Sequence, residues 1–129
     1  MRALPYTARR LSAAALAFSA FLSAGAVFAD DAATGASRSA YGWAVKCFVA
    51  NGSARGTSSD GGDAVKAAAF ERRARVSFDT ASALADKLGY SGSRFNQDLG
   101  LAQAQELPKF VKDLAYLRST EATCKALGL

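Results

Sequence analysis

Over residues 63–88 the apolar side chains Phe70, Ala74, Phe78, Ala81, Ala85 and Leu88 recur every three or four positions. At 3.6 residues per turn that spacing lays a single apolar stripe along a helix. Arg72, Arg73, Asp79, Asp86 and Lys87 fall off the stripe, and Gly89 is a natural C-terminal stop. Several stripe positions are alanine, so a partner helix is expected to approach closely.

Weaker periodicities flank this segment. Tyr41, Ala44, Val45 and Phe48 share one side at helical spacing, which predicts a first helix over 39–49. Cys47 lies at the flank of that side and Trp43 further round. Residues 51–62, NGSARGTSSDGG, read as a loop by composition, with Asp60 placed to cap the next helix and Asp63 in its first turn. SGS at 91–93 reads as a turn, and Ser93 as the N-cap of a third helix. That helix carries Phe95, Leu99 and Ala102 and runs to about Glu106, with Gly100 weakening its middle. Pro108 suits the first turn of a fourth helix, on which Phe110, Leu114, Leu117 and Cys124 share a face. Ser119 either caps a separate last segment or lies inside a helix running to Ala126, and Gly128 ends it. No segment alternates as a strand does and no repeat is present. The expected fold is all-α, a small bundle of about four helices.

The N-terminal pattern has a different meaning. Arg2, Arg9 and Arg10 precede an uncharged run over 11–29, LSAAALAFSAFLSAGAVFA. Its apolar centre, 11–22, is shorter than the ~20 residues a membrane span needs. Val27 and Ala29 place small side chains before a cleavage point, and Asp30 and Asp31 follow. This is the layout of a cleaved secretory signal. Ser12 and Ala13 stand where a twin-arginine signal carries bulky apolar residues, which favours Sec-type export in the unfolded state. The expected organisation is a signal over 1–29, a flexible tail over 30–38 and a helical domain over 39–129. No transmembrane span is expected after cleavage, and the destination is the periplasm or the medium.

Cleavage changes the charge. Three of the 16 basic residues lie in the signal and none of the 11 acidic ones, so the remaining 100 residues carry 13 against 11, a net +2 instead of +5. Nucleic acid loses its electrostatic support as a partner.

An exported chain enters an oxidising compartment, where disulfides persist. Cys47 and Cys124 are the only cysteines, so one intramolecular bond is available. It would close a loop of about 77 residues, worth ~4 kcal/mol by chain-entropy arguments. A redox-active pair needs Cys-x-x-Cys or a histidine neighbour, and neither exists. The bond is expected to tie the first helix to the last.

The chemistry is limited by what is missing. The chain has no histidine. Ser-His-Asp and Cys-His catalysis, histidine-ligated metals and histidine-held haem are therefore excluded. No phosphate-cradling glycine motif appears, and no cofactor is expected. Asp79 and Asp86, seven apart on one helix, with Glu71 and Asp98 elsewhere, formally permit carboxylate-dependent hydrolysis. A solvated helix surface is the favoured account of them. NQDLG at 96–100 resembles the start of a calcium loop but lacks the later acidic ligands. Asn51-Gly52-Ser53 is formally a glycosylation acceptor and is read as chance.

The missing catalytic chemistry and the compact, disulfide-stapled scaffold point to binding, and the surface offers two candidate features for it. ERRAR at 71–75 places Arg72 and Arg75 as neighbours on a helix, where they can meet an anionic partner, although local pairing with Glu71 also explains them. Trp43, Tyr90 and Tyr116 are candidates to line a groove for a ligand or partner peptide, with core packing as the plain alternative. The expectation is a small exported binding protein, not an enzyme, working through protein or peptide contacts in the cell envelope. A lipid or small-molecule carrier, using room left by the alanine stripe, is the second class, and a carboxylate hydrolase the third.

Overall fold

The computed structural model describes the backbone of residues 15–129 and the side chains from residue 32 onward. Four helices follow in order: α1 (Ala15–Asp60), α2 (Ala64–Lys87), α3 (Gly92–Lys112) and α4 (Leu114–Ala126). The described residues contain no strand, and no described helix is long and apolar enough to cross a membrane. The chain divides into two units, Met1–Thr34 and Gly35–Leu129. In the first, only helical backbone from Ala15 is described, so the basic start of the expected signal, with Arg2, Arg9 and Arg10, lies outside the described residues. Residues 30–38, read from sequence as a tail, are helical backbone within α1. Their alanines, at the top of the helix-propensity scale, favour that state.

In the second unit α1 is the central helix. Tyr41, Ala44, Val45, Cys47, Val49, Ala50, Asn51 and Ala54 are all buried and cover nearly its whole circumference. A helix buried over most of its circumference is one that others wrap around. The stretch 51–60, read as a loop, is helical to Asp60. Buried Asn51 and Ala54 hold it in the core, and the Thr57 hydroxyl donates to the Ser53 carbonyl at 3.1 Å. These tertiary contacts outweigh the low helix propensity of its Gly and Ser residues. The helix stops at Gly61-Gly62. Gly62 takes φ +78°, and the Asp63 amide turns back to the Ser58 carbonyl at 2.9 Å.

Asp63, not Asp60, caps α2, its carboxylate accepting from the Lys66 amide at 2.9 Å. The buried line of α2 is Phe70, Ser77, Ala81 and Ala85. Ser77 therefore occupies the position expected for Phe78, which is 37% exposed. The stripe is rotated because Ser77 faces Asn51 of α1, while Phe78 moves to the edge and packs on Phe48 and Phe95 with ring centroids 5.6 and 5.4 Å away.

Ser91, not Ser93, caps α3, accepting from the Arg94 amide at 3.1 Å. The helix then runs through Pro108 to Lys112, where two helices had been expected with a break before Pro108. The proline removes one amide donor, but its turn faces solvent, and Ala104, whose carbonyl loses that bond, is exposed. The break falls at Asp113, whose extended backbone (φ −130°, ψ 92°) ends α3 and whose side chain caps α4 through the Tyr116 amide at 2.9 Å. Phe110 thus belongs to α3 and is fully buried, whereas Leu114, expected on the same apolar face, is 49% exposed. Ser119 lies within α4, which runs on to Ala126 as one helix.

The core has two centres. One gathers Tyr41, Ala44, Val45, Cys47, Ala81, Ala85, Phe95 and Cys124, and the other Val49, Ala50, Phe110 and Leu117. Alanine at three of the eight buried α1 positions from Tyr41 to Ala54, and at Ala81 and Ala85 of α2, allows the close approach expected from the sequence. Cys47 and Cys124 form a disulfide with Cα atoms 5.7 Å apart, and both are fully buried. Cys47 sits well inside α1 and not near its end, so the bond anchors the last helix to the central one.

Candidate functional site

Trp43 and Tyr116 come together around a residue the sequence did not single out. Lys46 Nζ lies 5.3 Å from the Trp43 ring and 5.1 Å from the Tyr116 ring, a cation between two aromatic faces. Trp43 and Lys46 are three apart on α1, and Tyr116 comes from α4. Lys46 Nζ also donates to the Tyr116 hydroxyl at 2.8 Å, and that hydroxyl donates to Glu106 Oε2 at 2.9 Å. Lys109 Nζ donates to Glu106 Oε1 at 3.1 Å. Burial pushes the Glu106 carboxyl up, but the bonds from Lys109 and Tyr116 and the charge of Lys46 outweigh it and hold the group below its usual 4.5. With Phe110 stacked on Tyr116 at 5.3 Å, this chain of contacts locks α1, α3 and α4 together. Its donors and acceptors are spent on one another, so the arrangement is a structural tie.

Tyr90 belongs to a separate cluster. Its ring meets Tyr41 edge-on at 5.3 Å, and the Arg94 guanidinium lies 3.6 Å from its centroid. The Tyr41 hydroxyl donates to Asp98 Oδ2 at 2.7 Å, and Arg94 pairs with the same carboxylate at 3.7 Å. Burial, then the bond to Asp98, pushes the Tyr41 phenol far above its usual value, so it stays protonated. Asp98 is therefore committed to Tyr41 and Arg94 and does not join the carboxylates of α2.

Arg72 and Arg75 are both exposed on α2 but face different clefts. Arg75 lies on a groove of about 540 Å³ between α1 and α2. Phe48, Ala74 and half-buried Phe78 form its apolar floor, and Gly52 leaves room beside them. Arg55 and Arg75 stand on its rim with Glu71 and Asp79. Arg75 pairs with Glu71 at 3.3 Å, the local contact foreseen from the sequence; at 77% and 40% exposure it adds little stability. Asp86, two turns beyond Asp79, is exposed and does not line the groove, so the Asp79–Asp86 pair does not converge on one cleft. Arg72 instead lines a cleft on the other flank of α2, with Arg73, Val76 and Lys125.

Asn51, formally the acceptor of Asn51-Gly52-Ser53, is 1% exposed in mid-helix and presents no side chain for modification in the folded chain. Among the described residues no three Asp, Glu or Cys side chains cluster where a metal could sit.

Sequence reasoning missed Lys46, Glu106 and Arg55, and it placed Phe48 on the apolar side of the first helix without a groove role. Only Lys46 carried a local signal, one turn from Trp43; the others acquire a role when α1 packs against α2, α3 and α4. No protein-family model, no curated protein sequence and no solved structure matches this chain.

Proposed function

We propose that this chain is an exported, periplasmic helical binding protein that acts through protein or peptide contacts and not through catalysis. The observation that carries this reading is the α1–α2 groove, with Phe48, Ala74 and Phe78 on its floor and charges of both signs on its rim. An apolar centre with a polar rim is the general anatomy of a protein-docking patch. The polar groups elsewhere that come close enough to react, at Lys46–Tyr116–Glu106 and Tyr41–Asp98–Arg94, already satisfy each other. The buried disulfide supports export, because such a bond persists in oxidising compartments.

The test is site-specific photocrosslinking in the native host at native expression. A photoreactive residue at Phe78 is expected to capture one stoichiometric envelope protein, while the same probe at Lys87, outside the groove, captures none. Equal labelling from both positions, or no adduct from Phe78, would overturn the reading.

A further inference from the structure

The other flank of α2 has a different character. Two clefts open between α2 and α4. The first, about 100 Å³, lies between Lys66 and Phe70 of α2 and Leu117, Arg118 and Glu121 of α4, with Ala54, Thr57 and Ser58 of α1 completing its wall. The second, about 390 Å³, lies between Arg72, Arg73 and Val76 of α2 and Lys125 and Leu129. Early α2 residues face early α4 residues and later ones face later ones, so the clefts follow one another along two helices running in the same direction.

This channel is charged one way. Lys66, Arg72, Arg73, Arg118 and Lys125 line it, and Glu121, with Lys66, Arg73 and Arg118 near it, is the one side-chain carboxylate among the lining residues. Lys46, Arg75, Arg94 and Lys109 elsewhere are ion-paired, but none of these five is paired among the described residues. Arg73 instead lies 5.7 Å over the Phe70 ring.

The spacing selects the ligand. Lys66 and Arg73 are two turns apart on α2, as are Arg118 and Lys125 on α4, about 10 Å in each case at 1.5 Å per residue. The cations form rows and do not converge on a point, which suits an elongated anion and not a single phosphate. They line recesses between helices, which a planar lipid surface does not enter. Aliphatic Val76 and Leu114 interleave with the charges. Glu121 adds an acceptor without an ion-pair partner, useful for a chain that also brings amide donors.

We propose that the α2–α4 channel binds an extended acidic peptide segment, its carboxylates held by Lys66, Arg72, Arg73, Arg118 and Lys125 and its backbone amides accepted by Glu121. Arginine forks suit carboxylates because they can bond them in bidentate fashion. The proposal rests on the reading of a protein partner and specifies the chemistry of one part of it.

The test uses the full oxidised chain and a fluorescein-labelled alternating Glu–Ala peptide, read by fluorescence anisotropy over a salt series. The peptide is expected to bind, with affinity falling as salt rises, and an alternating Gln–Ala peptide is not. Arg73→Ser and Arg118→Ser should each weaken binding about tenfold, the worth of one charge-assisted hydrogen bond. Lys87→Ser, outside the channel, should leave it unchanged, with thermal melts confirming that every variant is folded. Absence of peptide binding, equal weakening by Lys87→Ser, or binding to phosphatidylglycerol vesicles in place of the peptide would each overturn the proposal. A partner still captured from Phe78 in that case would leave the protein-binding reading standing.

Discussion

The Asn51 amide donates to Ser77 Oγ across 3.3 Å, joining α1 to α2 inside the core, and Asn51 Oδ1 has no hydrogen-bond partner among the described residues. A buried polar pair of this kind selects one register between two helices, because any rotation of α2 strands both groups. Ser77→Ala should cost about 1–2 kcal/mol by leaving the Asn51 amide unpaired. Replacing both, as Asn51→Leu with Ser77→Ala, should cost less than the two single changes together. Urea denaturation of the four proteins checks the coupling, and strict additivity would refute it.

The Cys47–Cys124 bond closes a loop spanning 77 positions, from the central helix to the last. Removing it with Cys47→Ala and Cys124→Ala should destabilise the domain by up to ~4 kcal/mol, mostly by freeing the unfolded chain. Stability measured with and without the pair gives the value directly. A double variant as stable as the parent would show that helix packing alone closes the bundle.

Export predicts a specific product. The protein recovered from the periplasm or medium should begin at Asp30, and its non-reduced mass should lie two hydrogens below that of the reduced form. Intact-mass spectrometry reads both. An uncleaved N-terminus, or free thiols at both cysteines, would contradict the secretory reading.

Two glutamates should move stability with pH in opposite senses. Glu106 is held below the usual carboxyl value of 4.5, so its contribution is present above that value and is lost as pH falls through the lowered one. Glu106→Gln should remove this acid sensitivity and cost ~1 kcal/mol at neutral pH through weakened bonds to Tyr116 and Lys109. Burial raises the Glu121 carboxyl above 4.5 even with Lys66, Arg73 and Arg118 nearby. Its contribution is therefore greatest below 4.5 and is lost as pH rises through the raised value, so Glu121→Gln should raise the melting temperature at neutral pH. Melts across a pH series separate the two; a lower melting temperature for Glu121→Gln at pH 7 would contradict the assignment.

The helical class, the reach of α2 to its end near Gly89 and the disulfide were all legible in the chain. Apolar spacing reports a helix wherever one face is buried, and two cysteines leave one internal pairing. What the sequence could not set was the rotation and extent of each helix. Residues 51–60 carry a loop composition, yet they are helical because Asn51 and Ala54 are buried against neighbours that lie far along the chain. Phe78 looked like core, and Ser77 lay off the expected stripe. Their exchange follows from where α1 passes, which sets Ser77 opposite Asn51 and leaves Phe78 at the edge against Phe48 and Phe95. Pro108 read as a start but is accommodated on a solvent-facing turn, and Asp113 makes the break instead. The candidate site divides in the same way. Arginines on α2 were visible from spacing alone, but their assignment to two different flanks depends on α1 lying on one side and α4 on the other. A periodicity tells which residues of a helix share a face; only the packed neighbours decide which face is buried, which charges are paired, and which are left facing a partner.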